Sequence, residues 1–114
     1  MINEKVISKI DKAVAKKKSK VLIKMLKKTD KETLIKLLEA MGQIADEDSN
    51  NHITHYLDYD DNEIRTAACE AALTVNTEYM RTRVRHQLSK ETDATVKAEI
   101  QKAFNKARKV DMAE

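Results

Sequence analysis

Counting from Ile64 as position 0, small or apolar residues fall at +3, +4, +7, +8 and +11: Ala67, Ala68, Ala71, Ala72 and Val75. At about 100° per residue these lie within roughly ±70° of one direction, so they form a single stripe along a helix. The stripe is mostly alanine, which lets a second helix approach closely. Upstream, Leu57 closes an earlier helix, and an acidic turn carries the chain to a new helix starting near Asp61.

The same arrangement recurs. Leu22 and Leu26 match Ile53 and Leu57, which match Val84 and Leu88, at a constant offset of 31 residues. A turn acid follows each pair, at Asp30, Asp61 and Asp93, and each can cap the next helix by accepting its free N–H groups. The second helices then align as Thr33-Leu37-Ala40-Met41-Ile44, Ile64-Ala68-Ala71-Ala72-Val75 and Val96-Ile100-Ala103-Phe104-Ala107, with one extra residue in the third turn. Ile2, Val6, Ile10 and Ala13 fit the same register one period earlier. The predicted helices are 3–17, 19–28, 31–45, 49–58, 62–75, 77–89 and 93–108. Residues 1–114 are read as one domain: a half repeat at 3–17, then full repeats at 19–45, 49–75 and 77–108.

Composition agrees with an all-α chain. With no proline, one glycine and four aromatics, the turn chemistry and bulky residues of a β protein are missing. Charged residues make up 36%, but both signs alternate at helical spacing, which favours folded helices over disorder. The single cysteine excludes an internal disulfide and fits a reducing compartment. No apolar signal core and no run of about 18 apolar residues is present, so a cytoplasmic location away from membranes is expected.

A helix pair every 31 residues, each with a turn aspartate, a β-branched residue, a basic residue and an alanine-rich stripe, resembles the HEAT-repeat family. The short bacterial variety of phycobilisome-lyase-type proteins is the most similar. The motif is clearest in DNEIRTAACEAAL, recognisable in DATVKAEIQKAF and weakest in DKETLIKLLEAMGQI, which keeps Gly42 where the family often has glycine. The resemblance implies a right-handed α-solenoid, a superhelix of about seven helices in antiparallel pairs, with the second helices lining its inner side. It also implies that the basic residue at Arg65 and Lys97 pairs with a turn acid of a neighbouring repeat. Arg65 is therefore expected to bond Asp30 or Asp61, and Leu34 leaves the ladder incomplete at the N-terminal end.

On the second helices the positions opposite the stripe supply Glu39 and Gln43, then Thr66, Glu70 and Thr74, then Lys102, Asn105 and Lys106. Their central row reads Glu39, Glu70, Lys102. That mixed surface suits a protein or peptide partner, or is simply a solvated face; it is not a continuous phosphate-binding stripe.

Net charge is uneven. Residues 1–36 hold twelve lysines against four acids, and residues 37–63 hold eight acids and no lysine or arginine. Lys16, Lys17, Lys18, Lys20, Lys24, Lys27 and Lys28 gather on the first two helices, and Arg81, Arg83 and Arg85 on the third repeat's first helix. Such patches attract nucleic acid in a salt-dependent way, but no aromatic sits among the lysines for base stacking. A solvated helix face is the simpler account.

Catalytic and metal chemistry find no constellation. His52 and His55 share a helical face, but a zinc site needs further ligands. Asp58, Asp60 and Asn62 start a calcium-loop pattern that Glu63 and Cys69 break, at the places of the glycine and the bidentate glutamate. Cys69 has no partner at nucleophile spacing and reads as a small apolar packer. The expectation is a non-catalytic interaction module or adaptor with no cofactor and a protein or peptide partner. The alternative is a nucleic-acid-binding module that uses the basic N-terminal helices. An accessory role in cofactor attachment follows only from the lyase-type resemblance.

Overall fold

Each turn aspartate caps a helix, and this fixes where the elements begin. Asp30 Oδ1 accepts from the Thr33 N–H at 2.8 Å, Asp61 Oδ1 from Glu63 at 2.9 Å and Ile64 at 3.1 Å, and Asp93 Oδ1 from Val96 at 2.9 Å. The computed structural model describes residues 2–113, apart from the side chains at 28 and 111–113. Among the described residues it is all-helical, without strands. The helices are α1 (Glu4–Ala15), α2 (Ser19–Met25), α3 (Lys31–Ile44), α4 (Glu47–His55), α5 (Asn62–Val75), α6 (Glu78–Lys90) and α7 (Ala94–Ala113).

Three helix ends differ from the expectations by three residues or more. The second helix stops at Met25 and tightens into a 3-10 turn, Leu26–Lys28. The fourth, expected at 49–58, runs from Glu47 to His55. Asp46 Oδ1 caps it through the Ser49 N–H at 2.8 Å, and Tyr56 and Leu57 already lie in the following turn. The last helix, expected to end at 108, continues to Ala113. Both earlier second helices stop on a left-handed residue, Ala45 (φ 58°) after α3 and Asn76 (φ 58°) after α5. The third has no such break there.

The helices form two layers. In one, α1 packs on α3, α3 on α5 and α5 on α7. In the other, α2 contacts both α1 and α3, α4 both α3 and α5, and α6 both α5 and α7, so each covers one seam. The shortest extent, 21 Å, is about two helix diameters. The predicted stripe is the contact surface: Ala68 and Ala72 are fully buried, Ala71 nearly so, with Ala67 and Val75 half-buried. Leu37, Met41, Ile53, Val84 and Ile100 are fully buried around it. Ile10 and Ala13 of α1 are buried too, against the start of this core.

Candidate functional site

Neighbouring copies are tied by equivalent contacts. Lys31, just after the first turn aspartate, bridges to Asp61 Oδ2 and Glu63 Oε1, both at 2.9 Å. One period on, Asn62 Nδ2 donates to Asp93 Oδ2 at 3.0 Å. The Lys31 ammonium holds the Asp61 carboxyl below its usual range, helped by the capped N–H groups.

Arg65 is structural, but its partner is neither Asp30 nor Asp61. Its Nε donates to Glu91 Oε1 at 2.7 Å and an Nη to Glu91 Oε2 at 2.9 Å. It also caps the Tyr59 carbonyl at 2.9 Å and reaches Asn62 Oδ1 at 2.7 Å. The Glu91 side chain is 2% exposed and that of Arg65 12%, so this is a buried, bidentate ion pair. Arg65 lowers the Glu91 carboxyl below its usual range against the opposing effect of burial. Gln87 Nε2 and the Asp93 N–H donate to the same carboxylate. Glu91 lies in the turn that carries the extra residue, and an alignment that treats that residue as slack passes over it.

The face opposite the stripe opens into a cleft. Between α5 and α7, on the side that α6 leaves uncovered, lies a cleft of about 780 Å3. Leu73, Ala103, Ala107 and Val110 form its apolar surface, and Glu70, Thr74, Glu99, Lys102, Lys106 and Lys109 its polar one. Leu73 is 5% exposed, although its register position faces away from the stripe. The adjoining helix of the same layer covers it, so fewer positions on this face reach solvent than a lone helix would present.

The structure brings five of the predicted inner-face residues to this cleft: Glu70, Thr74, Lys102, Asn105 and Lys106. Glu39, Gln43 and Thr66 lie outside it. Glu39 and Gln43 are exposed, Glu39 with Lys36 at 3.8 Å, while Thr66 is half-buried and donates to the Asn62 carbonyl at 2.8 Å. Burial pushes the Glu70 carboxyl above its ordinary range, and the Glu99 and Glu39 carboxylates add to it. Electrostatically, the row around Glu70 is therefore Glu39, Glu70, Glu99. Glu99 escaped the sequence reading because it lies at +3, nominally on the stripe side. Exposed Val110 and Lys109 were missed because the helix was ended too early.

The remaining candidates are simpler. Lys16, Lys17, Lys18, Lys20, Lys24 and Lys27 are exposed, and the side chain of Lys28 lies outside the described residues. Cys69 is fully buried, and burial pushes its thiol up to about 12, so it is inert at neutral pH. Among the described residues no three His, Cys, Asp or Glu side chains converge to hold a metal ion. No helix among them is long and apolar enough to cross a membrane.

No curated protein and no solved structure matches the chain. Residues 19–105, more than half of it, match the family described as HEAT repeats, whose members generally serve as protein-interaction scaffolds and are typically non-catalytic. The match covers the repeated helix pairs and their aspartate caps, and the chain belongs to the HEAT-repeat family.

Proposed function

We propose that the chain is a non-catalytic protein-interaction module: one domain of three repeats and an N-terminal half repeat, binding its partner on the α1–α3–α5–α7 layer. The α5/α7 cleft carries this reading. At about 780 Å3 it falls within the roughly 300–1,000 Å3 range of ligand-binding clefts. An apolar surface beside unpaired charges is also how interaction sites combine affinity with selectivity. Glu70, Thr74, Lys102 and Lys106 are the partner-contacting residues of this proposal. Glu39, Gln43 and Thr66 serve as peripheral positions on the same layer.

The test compares the full chain with two variants as bait for partner capture. One reverses charges in the cleft (Glu70→Lys with Lys102→Glu), and the other neutralises the basic patch (Lys20→Gln with Lys24→Gln). A specific protein should be retained by the wild type and the patch variant and lost by the cleft variant. The opposite pattern, with nanomolar oligonucleotide binding at physiological salt in place of the weak non-specific range of roughly 10⁻⁴–10⁻⁶ M, would assign the chain to nucleic acid.

A further inference from the structure

The charges of the α5/α7 cleft are sorted along its length. Glu99 stands toward the start of α7, where its carboxylate acts on Glu70 of α5, while Lys102, Lys106 and Lys109 follow toward the end of α7. Among the described residues none of these five side chains closes an ion pair with another. Beside the lysines the surface is apolar: Ala103, Ala107 and Val110 recur at three- and four-residue spacing, making a straight ridge along α7. A ridge of that kind accepts the side chains of a second helix laid beside it.

From this pattern we infer that the cleft takes an amphipathic helix of mixed charge: an arginine or lysine at the Glu70–Glu99 end, apolar residues on the ridge, and an acid at Lys102 and Lys106. The inference rests on the interaction-module reading and specifies its partner's chemistry. The spacing follows from α7 itself. Glu99 and Lys106 are seven residues apart, about 10.5 Å along the axis at 1.5 Å per residue, so the occupant's cation and acid also lie about two turns apart. A purely basic helix meets the lysines with like charge, and a purely acidic one meets the carboxylates. Glu70 is the more telling of the two ends. Its carboxyl is already raised by burial and by the Glu99 and Glu39 carboxylates, so an incoming cation relieves that repulsion.

The test uses three synthetic helical peptides of about fifteen residues with the same apolar face. Their two charged positions, seven residues apart, are Arg and Glu, Arg and Arg, or Glu and Glu. Each is titrated into the isotope-labelled full chain and followed by NMR. The Arg/Glu peptide should bind at least tenfold more tightly than either of the others and shift the amides of Glu70, Thr74, Lys102 and Ala107, leaving Lys20 and Lys24 unmoved. A Glu70→Lys, Glu99→Lys variant, with its helicity checked by circular dichroism, should instead prefer the Glu/Glu peptide. Equal binding of all three peptides, tighter binding of a single-sign peptide, or no shift at millimolar peptide overturns the charge pattern. If that happens while a captured natural partner still depends on Glu70 and Lys102, the interaction reading stands and only the occupant's chemistry is wrong. If that dependence is absent as well, both fall.

Discussion

At the seam between α3 and α5, Gly42 lies so close to Ala71 that a β-carbon on the glycine would sit 3.0 Å from the Ala71 carbonyl oxygen and 3.2 Å from its β-carbon. One repeat further, the equivalent positions at the seam between α5 and α7 are Leu73 and Ala103. The first pair brings two backbones together. In the second a leucine stands where the glycine stood, and the cleft opens on that side. The two seams also differ in what locks them. Exposed Lys31 ties the first, through Asp61 and Glu63, while the buried Arg65–Glu91 pair ties the second. Where helices touch through glycine and alanine, dispersion contacts add to an exposed ion pair; where a bulkier residue separates them, the ion pair is a buried one. One repeat motif can thus make a closed junction and a more open one.

Removing the lock should have the largest effect. Arg65→Met leaves the Glu91 carboxylate buried without its partner, and a broken buried pair costs about 3–5 kcal/mol. Replacing both, Arg65→Met with Glu91→Met, should recover most of that loss in urea unfolding. Equal losses in the single and double variants would mean that the pair adds nothing beyond packing. The wild type should also show an acid limb. Glu91 titrates below its usual range when folded, so its stabilisation is full above the unfolded value of about 4.3 and disappears as pH falls through the depressed folded value. The double variant should lose this part of the limb. Asp61, lowered first by Lys31, keeps its own.

Local spacing made the stripe, the three turn caps and the pairing of helices legible in the sequence, because each depends on residues within one or two helical turns. The Arg65–Glu91 pair was not legible. It joins residues 26 apart, through a turn whose extra residue breaks the repeat arithmetic. The cleft was half legible: facing positions gave Glu70, Thr74, Lys102, Asn105 and Lys106, but burial of Leu73 depends on how closely neighbouring helices pack. The end of α7 was hidden for another reason. A helix that runs on past its repeat leaves no left-handed residue to mark where the pattern should have stopped.

The glycine seam gives the next test. In an exposed helix Gly→Ala gains about 1 kcal/mol in helix propensity. At Gly42 the added methyl must displace the α5 backbone, and overpacking of this kind costs about 1–3 kcal/mol. Gly42→Ala should therefore destabilise by roughly 0–2 kcal/mol, and Gly42→Leu by clearly more. A net gain from Gly42→Ala would show that the seam yields easily and that the glycine is not what holds it closed.

The smallest effects belong to the helix ends, and there the two seams should respond with opposite signs. Ala45 ends α3 and Asn76 ends α5, both left-handed at φ 58°. Alanine carries a β-carbon that disfavours this conformation and brings no polar group to offset it. Ala45→Gly should therefore stabilise by about 0.5–1 kcal/mol. Asparagine tolerates the conformation better, and here its side chain also works. Asn76 Nδ2 donates to the Ala107 carbonyl at 3.2 Å, across to α7, and its Oδ1 accepts from Arg81 at 3.1 Å. Asn76→Gly relieves little strain and removes both contacts, a net loss of about 1 kcal/mol at typical hydrogen-bond values. Thermal melts of the two variants should then move in opposite directions. If both rise, the Asn76 contacts contribute nothing and the open seam is held by Arg65 and Glu91 without help from the end of α5.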